Sequence, residues 1–152
     1  MGHGPEPAVS ATPDGALTVH ASCVSFDGRG VLIRGRSGSG KSAMALQLLG
    51  LGAALVADDR TCLWREGGAL FAGVPERIRG LVEARGVGLL NMPCEAPARV
   101  ELLVDLDTHE TERLPPRREA RLLDVVLPLV GNPGGPHFPA AIRTYVMHGR
   151  YA

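Results

Sequence analysis

The stretch GRSGSGKSAMALQLLG, from Gly35 to Gly50, decides how this sequence folds. It follows a short apolar run that ends at Ile33 and leads directly into a second apolar run. Its glycines, lysine and serine match the spacing G-x-x-x-x-G-K-S, in which backbone N–H groups surround phosphate oxygens at the start of a helix. The sequence therefore predicts a strand, a phosphate-binding loop and a helix in succession. The predicted loop residues are Gly35, Arg36, Ser37, Gly38, Ser39, Gly40, Lys41 and Ser42.

Lys41 is the only lysine in a chain that otherwise uses arginine for its basic residues. Lysine is a compact charge on a flexible stem, whereas arginine is a rigid planar fork, so the two are not interchangeable in a tight loop. We expect Lys41 to bind the β- and γ-phosphates of a nucleotide and the Ser42 hydroxyl to bind Mg²⁺. The alternative is a glycine-rich turn with an accidental lysine.

The composition indicates a single globular domain. The chain has 152 residues, of which 45% are hydrophobic, and its 16 acidic residues balance its 16 basic residues. This neutral balance does not favour binding to nucleic acid or to a membrane surface, and no apolar run approaches the roughly 18 residues of a spanning helix. Three cysteines without a CxxC pair are typical of reduced thiols in a cytoplasmic protein. We expect residues 1–16 to form a flexible tail and residues 17–152 to form one domain.

Strand patterns predominate outside the loop and its helix. The helix after the loop should end near Gly50 or Gly52, a second helix is expected to start at Pro75, and residues 138–151 should form a closing helix. The charged segment 110–123 is expected at the surface. These patterns predict an α/β domain with a β-rich mixed sheet and few helices. The predicted strands cover residues 17–26, 31–35, 53–59, 87–92, 99–107 and 123–130, with a hairpin on either side of 66–68.

Two adjacent carboxylates, Asp58 and Asp59, end the predicted strand that follows the helix. This strand could lie beside the strand before the loop and bring both carboxylates to the phosphates. Adjacent strand residues point in opposite directions, so one carboxylate can face a metal ion and the other an incoming hydroxyl. Because one carboxylate near the loop usually serves Mg²⁺, the second is a candidate general base. The alternative is that either aspartate only caps a turn or helix.

The order of these motifs resembles the C-terminal catalytic domain of HPr kinase/phosphorylase. The resemblance rests on His20, on the loop, on the segment LVADD and on LVEARGVGLL, residues 81–90. Its most specific part is an E-x-R-G-x-G element made of Glu83, Arg85, Gly86 and Gly88. No segment of this sequence resembles the usual N-terminal domain of the family, so by resemblance we expect the short form found in alphaproteobacteria. The implied fold is a P-loop fold similar to that of phosphoenolpyruvate carboxykinase.

The resemblance implies an activity and roles for the matched residues. The family uses ATP and Mg²⁺ to phosphorylate a serine of HPr, the phosphocarrier of the sugar phosphotransferase system, and also runs the reverse phosphorolysis. It forms hexamers, and the acceptor here is HPr or its nitrogen-branch relative. By resemblance, Asp59 takes the serine proton, Asp58 is its metal-side neighbour, and Glu83 is a further Mg²⁺ ligand. His20 is close to the transferred phosphate, and Arg85–Gly88 belong to a segment tied to both reactions.

The sequence departs from the family pattern near the C-terminus. Family members carry arginines near the C-terminus, in a segment of the type P-x-R-P-G-R-N, where this chain has PLVGNPGGPHFPAAIR. Arg143 or Arg121 are the candidates to replace those arginines. Two alternative functions stay open: a small-molecule kinase, for which the chain offers no candidate lid, and a nucleotide-binding regulatory module without turnover. The intact Asp58, Asp59 and Glu83 argue against the regulatory module.

Overall fold

The structure, a computed structural model, describes residues 12–152. Within these residues the chain forms a nine-stranded mixed sheet, a separate two-stranded hairpin and two α-helices. A short 3-10 helix covers Glu76–Ile78, and the α-helices are α1 (Lys41–Gly50) and α2 (Phe138–His148). The strands are β1 (Leu17–Val19), β2 (Ala21–Phe26), β3 (Arg29–Arg34), β4 (Ala54–Ala57), β5 (Thr61–Glu66), β6 (Ala69–Gly73), β7 (Leu81–Ala84), β8 (Gly88–Asn91), β9 (Ala98–His109), β10 (Arg118–Leu122) and β11 (Val125–Asn132).

The large sheet is organised around β9. Its order is β1-β5-β6-β9-β3-β2-β4, and β11 also pairs with β9 and carries β10 on its outer edge. Strand β9 runs parallel to β3 and β11 and antiparallel to β6. The backbones of β3 and β9 approach closely at Gly30, where a Cβ atom would lie 2.7 Å from the carbonyl oxygen of Arg99. The strand that leads into the loop is therefore fixed on both sides, by β2 and by β9.

Both faces of the central strands are buried. Residues of β3 alternate between two core clusters: Val31 and Ile33 pack with the helices, whereas Leu32 packs on the opposite side. Helix α1 faces the sheet with Met44, Ala45, Leu48 and Leu49, spaced three and four apart as one helix face requires. Burial on both faces explains why β2 and β3 read as nearly continuous apolar runs.

Most predicted elements are confirmed. Helix α1 ends at Gly50, the turns at 27–28 and 67–68 join hairpins, and α2 closes the described fold. The predicted strands near 87–92, 99–107 and 123–130 correspond to β8, β9 and β11. The segment 110–123 is largely exposed, as expected, but it also contributes the edge strand β10.

The prediction of one strand over residues 17–26 is wrong. The segment breaks at His20 into β1, which pairs with β5, and β2, which pairs with β3 and β4. Apolar and β-branched residues on both sides of the break fit strands equally well, so the pattern could not locate it. The break frees His20 from the sheet ladder.

The expected neighbour of β3 is also wrong. Strand β2 lies between β3 and β4 and is antiparallel to both. The carboxylates after β4 nevertheless reach the loop, because α1 crosses the intervening strand.

No α-helix starts at Pro75. Only the 3-10 turn Glu76–Ile78 forms, and Gly80, with φ of +77°, redirects the chain into β7. Residues that were expected to continue the helix instead form strand β7, which pairs with β8 in a hairpin.

Of the predicted tail, residues 1–16, the first 11 residues lie outside the part of the chain that the structure describes. In the part of the chain that the structure describes, no helix is both long enough and apolar enough to cross a membrane.

Candidate functional site

The loop between β3 and α1 has a backbone that requires glycine at several positions. Gly38 and Gly40 have φ values of +84° and +100°, a backbone conformation that glycine adopts without strain. Gly35 is required for a different reason, since a Cβ atom there would lie 2.4 Å from the Ser39 Oγ. This Oγ is buried and has no hydrogen-bond partner among the described residues. The unpaired hydroxyl and the N-terminus of α1 together fit a bound anion.

Lys41 is the first residue of α1 and is only 5% exposed. Its Nζ donates to the carbonyl oxygens of Gly35 at 2.8 Å and of Arg36 at 3.1 Å. The ammonium group therefore lies inside the curve of the loop. This position matches the predicted role of Lys41 beside phosphate, which stays a prediction.

A cavity of about 520 Å³ opens beside the loop. It brings the loop together with Asp59 and with the β7–β8 hairpin, which are distant in sequence. Its lining is Ser37, Gly38, Gly40, Lys41, Ser42, Ala43, Leu46, Gln47, Asp59, Glu83, Ala84, Arg85 and Val87.

Asp58 connects the loop, the sheet and the hairpin. Its Oδ1 accepts hydrogen bonds from the hydroxyls of Ser42 and Ser22, each at 2.8 Å. Its Oδ2 accepts the backbone N–H of Glu83 at 2.9 Å. The carboxylate is 7% exposed, and these three donors compensate for its burial. Asp58 was expected to lie near the loop, and it is hydrogen-bonded there to Ser42.

Asp59 faces away from Asp58 and towards solvent. The Arg60 N–H donates to the Asp58 carbonyl oxygen at 2.8 Å, and Asp59 has a φ of +68°. A bond between residues two apart around a positive φ is a γ-turn of the rare, strained form. The Asp59 Oδ1 lies 2.6 Å from the Nε2 of His20. The turn thus aims the carboxylate at His20 and at the cavity.

The β7–β8 hairpin places the E-x-R-G-x-G element at the cavity. The side chains of Glu83 and Arg85 are exposed and line it. Gly86 has a φ of +85° in the turn between the strands, and Gly88 has a φ of +143° at the start of β8, so a side chain at either position would be strained. Glycine at these two positions is explained by the backbone of the hairpin.

The acidic residues do not form a metal site by themselves. Within residues 12–152, no three His, Cys, Asp or Glu side chains are grouped closely enough to hold a metal ion. The site instead offers the hydroxyl of Ser42 and the carboxylate of Asp58, with Glu83 at the cavity wall. This set fits Mg²⁺, which is usually bound by one or two carboxylates while phosphates supply further ligands.

Sequence reasoning missed an aspartate pair that braces the start of the loop. Asp107 Oδ2 accepts the backbone N–H of Arg36 at 2.8 Å, and Asp105 Oδ1 accepts the N–H of Asp107 at 2.9 Å. Arg34 Nε donates to Asp105 Oδ2 at 3.1 Å. Burial tends to raise the pKa of Asp105, but the Asp107 N–H and the Arg34 guanidinium outweigh it and lower that pKa. The signal was two carboxylates in the otherwise apolar end of β9.

Neither candidate C-terminal arginine lines the cavity. Arg143 lies over the ring of Phe26, 5.9 Å from its centroid, and Arg121 pairs with Asp124 at 3.7 Å. Among the residues that line the cavity in the described chain, Arg85 is the only arginine.

The fold and the site define a class of protein: a β-rich domain in which a glycine-rich loop at the start of a helix and an aspartate pair meet near one cavity. A family model described as "HPr Serine kinase C-terminal domain" matches residues 15–124. The chain belongs to this family.

Individual relatives agree with the family match. The chain is 34% identical over 132 residues to an HPr kinase/phosphorylase of Brevibacillus brevis and 37% identical over 131 residues to that of Geobacillus thermodenitrificans. Each alignment covers 78% of this chain and 42% of the relative, so the chain spans less than half the length of these relatives. The solved structure of the Hpr(Ser) kinase/phosphatase from Coxiella burnetii superposes with a TM-score of 0.74 at 29% identity, covering 86% of this chain and 94% of that one. The β-rich α/β fold expected from the sequence is therefore confirmed.

Proposed function

We propose that this chain is an ATP-dependent protein kinase domain, spanning residues 17–152, that phosphorylates a serine of HPr or of its nitrogen-branch relative. The observation that carries the proposal is the hydrogen-bonded path from Ser42 of the loop to Asp58 and on through the Ser22 hydroxyl to the backbone of Asp59. A domain that only binds nucleotide has no need of a second, outward-facing carboxylate paired with a histidine. The names of the relatives support the choice of acceptor.

The nucleotide would bind with its phosphates at the loop. The backbone of Gly38 and Gly40, the Ser39 hydroxyl and Lys41 are the groups that suit phosphate oxygens there. Ser42, Asp58 and Glu83 would hold Mg²⁺, which when bound neutralises charge on the transferred phosphoryl group. Partial recovery of a Glu83→Gln variant in excess Mg²⁺, without recovery of Asp59→Asn, would support this division between metal-side and proton-transfer residues.

Asp59 would act as the general base. The acceptor serine oxygen forms a bond to the γ-phosphorus while the bond from that phosphorus to the β,γ-bridging oxygen breaks. ADP leaves, and the hydroxyl proton passes to the Asp59 carboxylate, which is 51% exposed and so accessible to a protein acceptor. The hydrogen bond from His20 fixes the orientation of this carboxylate. An Asp59→Asn variant should lose about 10²–10⁴ in rate, the range of a positioned base, and keep its affinity for ATP.

The reverse reaction would use the same groups. An oxygen of inorganic phosphate would form a bond to the phosphorus of phosphoserine while the bond from that phosphorus to the serine oxygen breaks. Asp59, protonated at the start of this reaction, would give its proton to the serine oxygen, and pyrophosphate would be released. Phosphate carries negative charge, and Arg85 is the arginine that the cavity offers to bind it. Formation of pyrophosphate from phosphate and phosphoserine-HPr tests this step, and an Arg85→Gln variant should lose it.

The decisive experiment incubates the protein with Mg²⁺-ATP and purified HPr, or with the nitrogen-branch relative, and maps the phosphate by mass spectrometry. Phosphoserine is expected, and a Lys41→Met variant should produce none. Phosphohistidine alone, or an unmodified acceptor beside an active control kinase, would overturn the proposal. Label on a metabolite instead would point to a small-molecule kinase.

The assembly and location are part of the same proposal. By analogy with the family we propose a cytoplasmic homo-hexamer. Light scattering on the eluting protein measures the mass directly, and a monomer at micromolar concentration would contradict the hexamer.

A further inference from the structure

We propose that Ser22 is a positioning residue that holds both aspartates of the site in register through its single hydroxyl group. The inference rests on the proposed function, because it assigns to Ser22 the task of fixing Asp59 where a base is needed. Ser22 belongs to none of the sequence motifs described above.

The Ser22 hydroxyl makes two contacts that need one donor and one acceptor on the same atom. It donates to the Asp58 Oδ1 at 2.8 Å and accepts the backbone N–H of Asp59 at 3.0 Å. Ser22 is 0% exposed, so water cannot readily replace either contact. Alanine and valine supply neither function, whereas a hydroxyl supplies both.

These contacts support a strained piece of backbone. The γ-turn at Asp59, with its φ of +68°, is a conformation that persists only when surrounding groups enforce it. On the far side of the turn, the Thr61 hydroxyl donates to the Ala21 carbonyl oxygen at 2.7 Å. Thr61 thus ties the chain to β2 after the turn, and Ser22 holds the turn residue itself. Without Ser22, Asp59 can relax and its carboxylate can move away from His20.

Strand β2 supplies a matched control. Ser25 is also buried, at 2% exposure, but it pairs with Gly30 and Ala54 near the far end of the strand from the aspartates. Replacing Ser25 by alanine therefore tests the effect of a serine-to-alanine change in the same strand without the contacts to Asp58 and Asp59.

The first test compares steady-state phosphorylation by Ser22→Ala and Ser25→Ala. Ser22→Ala should lower kcat about 10–100-fold, since a misplacement of roughly 1 Å can cost 10² in rate, with little change in the KM for ATP. Ser25→Ala should keep the wild-type kcat. Equal losses in the two variants would overturn the proposal.

The second test asks whether Ser22 acts through Asp59. In an Asp59→Asn background, Ser22→Ala should lower kcat by a clearly smaller factor than in the wild type, because only the contact with Asp58 then remains to be lost. A full additional loss in that background would show a general structural role instead.

The third test needs no turnover and so separates this inference from the proposed kinase activity. The backbone amide of Asp59 should exchange with deuterium at least about fivefold faster in Ser22→Ala than in the wild type, since its hydrogen bond is lost. Ser25→Ala should leave that exchange unchanged. Unchanged exchange in Ser22→Ala would overturn the positioning role even if the acceptor is phosphorylated, whereas faster exchange without phosphorylation would refute only the kinase proposal.

Discussion

Because the turn at Asp59 is strained, we expect Asp59→Gly to be more stable than Asp59→Ala, which is the reverse of the usual order. Asp59→Gly and Asp59→Ala both remove the carboxylate and its contact with His20, so they differ only in the backbone. At an ordinary position, alanine is more stabilising than glycine by about 0.4–1 kcal/mol because glycine gains more freedom on unfolding. At a φ of +68°, alanine is strained by about 1–2 kcal/mol, whereas glycine is not. The free energy of unfolding should therefore be higher for Asp59→Gly, by about 1 kcal/mol.

Thermal and urea unfolding of the purified variants measure this difference. A gain of about 1 kcal/mol corresponds to a Tm higher by roughly 2–4 °C in a chain of this size. The control is Ala141→Gly on the exposed side of α2, which should follow the ordinary order and destabilise by about 1 kcal/mol. If Asp59→Ala is as stable as Asp59→Gly, the strained turn with its positive φ at Asp59 is refuted.

Four further outcomes are expected from other parts of the molecule. Lys41→Arg should abolish transfer of labelled phosphate, because a planar guanidinium cannot replace a point charge inside the loop, and a wild-type rate would refute this. Asp58→Asn should lose about 1–3 kcal/mol in urea unfolding, because the amide nitrogen cannot accept the N–H that the carboxylate accepts, and an unchanged midpoint would contradict the three observed hydrogen bonds. Because the pKa of Asp105 is lowered in the folded state, its stabilising effect is complete above the ordinary aspartate pKa of about 3.9 and is lost as the pH falls through the folded pKa. The difference in unfolding free energy between the wild type and Asp105→Asn should therefore shrink between pH 7 and pH 3, and a growing difference would contradict the assignment. Burial raises the pKa of the Cys23 thiol to about 12, so Ellman's reagent at pH 8 should react with it only after unfolding, and rapid reaction in the native protein would be inconsistent with its burial.

The sequence was sufficient to predict the structural elements that depend on residues close together in the chain. The loop, helix α1 and the glycine-containing hairpin turns each follow from residues a few positions apart, and the structure contains all of them. The approach of Asp58 to the loop was also expected, although β4 is separated from β3 by β2 and does not lie beside it.

The sequence was not sufficient to predict contacts that depend on the order of strands in the sheet or on a single backbone angle. Nothing in the apolar runs shows that β2 lies between β3 and β4, since all three strands are buried and read alike. The γ-turn at Asp59 has no compositional signal, because aspartate is also common in ordinary turns. Ser22 was missed for the same reason: one small polar residue in an apolar strand acquires meaning only when its neighbours in space are known.

The position of β9 has a consequence for how the site comes into being. The hairpin of β2 and β3 can form as soon as both strands exist, but the other neighbour of β3 pairs Arg29 with Arg99, far along the chain. Contacts of such long sequence separation are slow to form, because the loop-closure entropy must be overcome first. The brace that Asp107 provides to the loop arrives with this strand. A chain emerging from the ribosome therefore carries the complete G-x-x-x-x-G-K-S motif long before β9 anchors the loop that contains it.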